Sequence, residues 1–285
     1  MAALEIKHIT VIGVGLLGGS VALAARRKYG AQVAGVGRRR ESLDQALAAG
    51  LIDTAHLDPV EPAATSDLVI LATPVCAFER HLRAIAPVLR PGCLVTDVGS
   101  TKAGVVAAAR KIFRAGRFPF VGSHPMAGSE RRGPMFARGD LLEGATCVVT
   151  PTVRNTAKDV RTVERFWSGL GMRVVRMSPA RHDQAVAAIS HLPHALSVLL
   201  MLLPDDEALK LSAGGYRDMT RLSGGDVEVW RDIFLTNRAA ILRAMDRFGR
   251  SMQTLRKIVG AGDVRKLEKL FAKGRQRRDD LTAGK

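Results

Sequence analysis

The hydrophobic and polar positions of the first half of the chain alternate between two periods. Short apolar runs occupy residues 6–12, 32–36, 68–73, 93–97, 118–121 and 145–150. Between them, residues 18–27, 41–49, 78–89 and 103–113 carry apolar side chains at helical spacing. Short buried runs alternating with amphipathic stretches predict parallel strands with helices on both faces of one sheet. After Pro151 the character changes. Residues 155–170 form one more amphipathic stretch, with Val160, Val163, Phe166 and Trp167 on one face, and residues 172–176 read as an edge strand. From Pro179 onward nearly everything has helical spacing. The pattern divides the chain into a sheet domain over residues 1–178 and an all-helical domain over 179–285.

Within the helical part, residues 183–203 are too apolar for a helix with one solvated face, so burial on most sides is expected. In a domain this small a second copy of the chain should supply part of the cover, making the protein a homodimer. Pro193 falls inside this pattern and predicts a kink, because it lacks the N–H that the helix needs. A polar segment around Gly214–Arg221 follows, then a helix over about residues 229–248 and one or two more up to residue 276.

Composition narrows the reading. The chain has 285 residues, 47% of them hydrophobic, which suits globular domains with real cores. No run of about 20 apolar residues is evident, and no charged segment precedes an apolar one at the N-terminus, so a soluble cytoplasmic protein with no membrane partner is expected. Cys76, Cys93 and Cys147 lie far apart and read as small core residues. The net charge of +16, from 43 Lys and Arg against 27 Asp and Glu, is spread along the chain and clusters only in the tail. Nucleic acid is not the expected partner, since aromatic residues are only 5% of the chain and none interleaves with a basic stretch. A positive field that draws in an anionic substrate and cofactor fits better.

The strand ends carry the candidate chemistry. The first run leads into Gly13-Val14-Gly15-Leu16-Leu17-Gly18, a G-x-G-x-x-G turn between a strand and a helix. Gly13 permits the tight turn, Gly15 lets a pyrophosphate approach the backbone, and Gly18 lets helix and strand pack closely. The amides of Leu16 and Leu17 open the helix toward the phosphates. The second strand ends in Gly37-Arg38-Arg39-Arg40, where an NAD-binding turn usually places a carboxylate for the ribose 2′-hydroxyl. Arg38 and Arg39 suit a 2′-phosphate, so NADP is expected to be preferred, with NAD possible. Thr73 and Pro74 end another strand and should border the cofactor crevice, and Ser100 follows the strand after that. His124 stands in Gly122-Ser123-His124-Pro125-Met126-Ala127-Gly128, whose Gly and Pro content predicts a shaped loop just past a strand. A histidine there is placed for proton chemistry near neutrality. His182, His191 and His194 share the apolar helix, where polar rings need partners and at least one should face the cleft. Their spacing holds no zinc set, so no metal is expected.

These segments together resemble the prephenate/arogenate dehydrogenase family of tyrosine biosynthesis. The resemblance runs through residues 13–19, 67–75, 96–104, 122–133, 182–194, 214–221 and 230–237. It implies a Rossmann-type doubly wound parallel sheet followed by an all-helical dimerisation domain. It also implies oxidative decarboxylation of a small cyclohexadienol, with hydride passing to a nicotinamide while the ring becomes aromatic. By this resemblance His124 is the base on the ring hydroxyl, and Ser100 positions His124 and the nicotinamide. Arg221 binds a substrate carboxylate, His191 lines the pocket, and Glu130 controls its rim. Two departures stand out: Gly37 replaces the acid of NAD-using members, and Arg131 and Arg132 follow Glu130. The extra arginines favour prephenate, whose side chain lacks an ammonium, over arogenate. The alternatives are an NADP-dependent arogenate dehydrogenase and another two-domain NADP-dependent dehydrogenase, such as a β-hydroxyacid dehydrogenase or a pyrroline-carboxylate reductase.

Overall fold

The computed structural model describes residues 4–128, 131 and 133–283. The chain forms two compact units, residues 1–238 and 239–285. The first begins with β1 (His8–Ile12), α1 (Leu16–Tyr29), β2 (Gln32–Val36), α2 (Arg40–Ala48), β3 (Thr54–His56), α3 (Val60–Thr65), β4 (Leu68–Leu71), α4 (Phe78–Ile85), β5 (Leu94–Asp97) and α5 (Ala103–Ile112). Its strands pair in parallel in the order β3-β2-β1-β4-β5, so the chain winds outward in both directions from β1. All four residues of β4 and of β5 are buried, as expected of strands covered on both faces.

Beyond α5 the structure departs from a single sheet. Residues 118–121 make one parallel bridge, Val95 to Phe120, instead of a sixth ladder. The chain then enters a second, three-stranded sheet of β6 (Gly122–Pro125), β7 (Thr146–Thr150) and β8 (Arg173–Arg176), with α6 (Ala157–Gly169) between the last two. β6 runs antiparallel to β7, and β7 parallel to β8. The segment 122–125 is therefore a strand and not the predicted loop. Its Gly and Pro are poor strand formers, but pairing with the apolar β7 overrides that local preference. β3 and α3, three and six residues long, were not visible as pattern.

The apolar helix is broken in two. α7 (Pro179–Val186) and α8 (Leu192–Leu202) flank one π turn over Ala187–His191, immediately before Pro193. Pro193 removes an N–H from the ladder, and the wider turn absorbs the mismatch. By length and composition the span Pro179–Leu202 could cross a membrane, which the sequence reading had not anticipated. The expected burial on most sides is not met within the chain, since only 28% of the most apolar window of this span is buried. The buried side chains are largely the polar ones, His182, Asp183, His191 and His194, and the first three make polar contacts with neighbouring elements. Short helices α9 (Asp206–Leu209) and α10 (Gly214–Thr220) lead to α11 (Val227–Thr236). The second unit holds α12 (Arg238–Gly260) and α13 (Val264–Ala283), and no residue of α13 is buried. Cys93 and Cys147 are core residues as expected, whereas Cys76 is exposed at the start of the turn into α4.

Candidate active site

The carboxyl ends of the parallel strands meet at the glycine turn. Gly13 has φ +105°, and a Cβ there would lie 2.6 Å from the Ala72 carbonyl carbon and 2.7 Å from the Thr73 amide nitrogen. A Cβ on Gly18 would lie 2.0 Å from the Gly13 carbonyl oxygen. Both positions therefore require glycine, and the turn packs directly on the Thr73–Pro74 end of β4. Gly15 differs: a Cβ there would meet nothing within 4 Å, and the start of α1 at Leu16 and Leu17 has no side-chain cap. Open space beside uncapped amides is what a dinucleotide pyrophosphate requires, so Gly13, Gly15, Leu16, Leu17 and Gly18 fit that group. At the end of β2, Arg38 and Arg39 are exposed, and Arg39 stands at the N-cap position of α2 without making a side-chain cap. Arg40 is held by Asp44 at 3.0 Å, while Arg38 and Arg39 have no ion pair among the described residues. Their guanidinium groups remain available to an anion.

His124 is the third residue of β6 and half-buried. Its Nδ1 lies 2.8 Å from His182 Nε2, with the two rings edge to face. His182 is fully buried, and its Nδ1 lies 2.8 Å from Asp183 Oδ1. The Asp183 carboxylate also accepts the backbone N–H groups of Lys102 (2.8 Å) and Ala103 (2.9 Å), so it closes the N-terminus of α5. Behind His124, the fully buried Asp97 carboxylate pairs with the fully buried Lys102 ammonium. Asp97 also accepts the amides of Gly99 and Ser123. One polar junction thus ties the Ser100 turn, the His124 strand and α7 together. Desolvation above all, then the neighbouring His182, Lys102 and His191, holds His124 well below the ordinary histidine value of 6.5. Burial raises the Asp97 carboxyl, partly offset by Lys102.

His191 ends the π turn and is buried. Asn237, just past α11, reaches its Nδ1 at 3.1 Å and the Asp183 carbonyl oxygen at 2.8 Å. A carbonyl can only accept, so the Asn237 amide nitrogen faces both groups and donates to His191. His191 consequently carries its proton on Nε2, and burial lowers its pKa to about 4. His194 stacks on Trp230 with ring centroids 3.5 Å apart. Arg221 opens a short 3-10 turn, Arg221–Gly224, which packs on α8, and its side chain is exposed.

The structure gathers His124 and His191 into one cluster and places Gly13, Thr73, Pro74 and Ser100 at the neighbouring strand ends. Ser100 makes no side-chain hydrogen bond among the described residues, and His182 is what holds the His124 ring. Glu130 and Arg132 lie outside the described residues. Arg131 sits 5.3 Å over the Phe136 ring. Among the described residues no group of three metal-ligating side chains gathers. The sequence pointed to His182 only as one of three helix histidines of which at least one should face the cleft, and gave no role to Asp183, Asn237, Asp97 or Lys102. The available signal was charge beside apolar runs: Asp183 opening the apolar helix, and Asp97 and Lys102 flanking the Ser100 turn.

Models of two domains match this chain. One, described as the nucleotide-binding domain of prephenate dehydrogenase, covers residues 21–176; the other, described as its dimerization domain, covers residues 178–273. The chain belongs to the prephenate dehydrogenase family. Prephenate dehydrogenase of Bacillus subtilis (strain 168) is 35% identical over 96% of this chain and 76% of its own length. The crystal structure of prephenate dehydrogenase from A. aeolicus, in complex with hydroxyphenyl propionate and NAD+, matches with a TM-score of 0.91 at 30% identity, covering 98% of this chain and 100% of that one. Synechocystis arogenate dehydrogenase matches with a TM-score of 0.85 at 29% identity, covering 96% and 100%. This member of the prephenate dehydrogenase family is thus an oxidoreductase with a nicotinamide dinucleotide site.

Proposed function

We propose that this chain oxidatively decarboxylates prephenate to 4-hydroxyphenylpyruvate, prefers NADP to NAD, and works in the cytoplasm as a homodimer through its helical domain. The observation that carries the chemistry is His124, a desolvated neutral imidazole beside the dinucleotide crevice. When bound, the nicotinamide supplies the hydride acceptor. His124 accepts the ring hydroxyl proton as hydride leaves the carbon bearing that hydroxyl. Loss of the ring carboxylate as carbon dioxide then aromatises the ring, and the phenolate oxygen takes the proton back. Donation from His191 Nε2–H and the Arg221 guanidinium serves substrate oxygens. Arogenate remains the second reading, and the Arg131-Arg132 pair after Glu130 favours the substrate without the ammonium. Initial rates with prephenate and with arogenate, each with NADP and with NAD, test the reading; the prephenate and NADP pair should be the most efficient.

Two further outcomes are expected. Arg221→Ala should raise the KM for prephenate by about tenfold or more with a smaller effect on kcat, because a carboxylate loses a bidentate donor. An unchanged KM would make Arg221 a structural residue. The homodimer is supported by apolar side chains on and after α8 that this chain leaves uncovered: Leu199 is 61% exposed, Leu202 75% and Leu203 80%. Sedimentation at low micromolar concentration should show a dimer, since an obligate interface commonly exceeds about 2,000 Å². A fully active monomer would overturn this.

A further inference from the structure

We propose that Asp183 and His182 are positioning residues that fix the tautomer of His124, leaving its Nε2 unprotonated toward the substrate. The inference follows from counting donors. Both Asp183 oxygens already accept backbone N–H groups, at 2.8 and 2.9 Å. The carboxylate is therefore an acceptor for its third partner as well, and His182 donates from Nδ1. A neutral imidazole carries one N–H, so His182 Nε2 holds a lone pair. That lone pair faces His124 Nδ1 at 2.8 Å, and a hydrogen bond between two ring nitrogens needs one proton. His124 must supply it from Nδ1, which leaves the lone pair on its own Nε2. The backbone amides that start α5 thus dictate, through one carboxylate and one ring, which nitrogen of the base is free.

The same contacts act during the reaction. When the substrate O–H bond breaks, its electron pair stays on oxygen and its proton forms an N–H bond at His124 Nε2. The resulting imidazolium still donates from Nδ1 to His182, whose far nitrogen remains on a carboxylate. The other charged and titratable groups near His124 are Lys102 and Asp97 from the end of β5 and the start of α5, Cys147 from β7, and His191 from the π turn. Lys102 opposes the imidazolium, and its pairing with Asp97 moderates that opposition. His191 is held neutral by burial. Asp183 is thus left as the carboxylate coupled to the base through a ring.

The part of this inference that concerns kcat rests on the dehydrogenase reading; the part that concerns tautomers does not. Nitrogen-15 NMR of the histidine rings, in protein without substrate, should show His124 and His182 both protonated at Nδ1. His182→Leu removes the acceptor, and His124 should then shift toward the Nε2–H form. Its kcat should fall at least about tenfold, while the KM for prephenate and the affinity for dinucleotide stay within about twofold. His182→Gln places an amide oxygen near the lost Nε2 and should restore the Nδ1–H tautomer together with most of the lost rate. A purely structural role would lower the melting temperature without moving the tautomer. Wild-type His124 protonated at Nε2 overturns the proposal whatever the variants do. So does a folded His182→Leu with kcat within about twofold of wild type.

Discussion

Replacing His124 with asparagine should lower kcat by about 100-fold or more while leaving dinucleotide affinity nearly unchanged. Asparagine keeps a side-chain donor near the Nδ1 position, so the contact to His182 can persist, but its amide is far too weakly basic to take the hydroxyl proton. The glycine turn that fits a dinucleotide pyrophosphate is built on β1, β4 and α1 and does not depend on this ring. The pH dependence should carry the signature of desolvation. Because burial keeps His124 neutral well below the ordinary 6.5, the base stays competent as the pH drops through that value. The acid limb of the wild-type kcat profile should therefore fall below pH 6.5, and the variant should lose the plateau at every pH. Near-normal turnover in a folded His124→Asn enzyme would remove His124 from the mechanism.

The second large effect concerns cofactor choice. Replacing Arg38 and Arg39 with alanine should erase most of an NADP-over-NAD ratio of kcat/KM expected to be roughly a hundredfold at low ionic strength. Both arginines are exposed at the end of β2, and no carboxylate follows that strand before Glu41. Measuring both cofactors at fixed ionic strength separates a specific 2′-phosphate contact from general attraction. Adding Gly37→Asp should move the ratio further toward NAD, at a cost: a Cβ at Gly37 would lie 3.1 Å from Leu43 Cδ2, and Leu43 is buried. That core side chain must give by a few tenths of an ångström, so the variant should also be less stable. If wild type uses NAD as efficiently as NADP, Arg38 and Arg39 are a solvated helix start.

The sheet domain was legible because each buried strand carries its own short apolar run and each covering helix its own period. The glycine turn was legible because its three glycines stand close together between a strand and a helix, although the backbone that crowds Gly13, at Ala72 and Thr73, lies about sixty residues further along the chain. His124 was found by its motif, but its setting was misread, since Gly122 and Pro125 predict a loop until β7 is there to pair with them. What stayed hidden is non-local. Nothing around His182 says that its partner lies 58 residues earlier, and nothing around Asn237 says that it faces His191, 46 residues away. The π turn at Ala187–His191 was anticipated only as a kink, because Pro193 reveals that the ladder breaks but not how the chain takes up the slack.

Asp183 reaches back 81 residues to close the first turn of α5, a helix whose own cap position, Lys102, offers no side-chain acceptor. Until α7 docks, α5 begins with unsatisfied amides and the histidine pair has no carboxylate to order it. Local elements form early in folding, and contacts that close long loops form late, because the entropy of closure must be met first. The proposed base is consequently oriented only in molecules in which α7 has already packed onto the start of α5, a contact that spans 81 residues of chain. A chain in which α7 has not docked therefore lacks the ordered base even when β1 and β4 are paired and the glycine turn between them is formed.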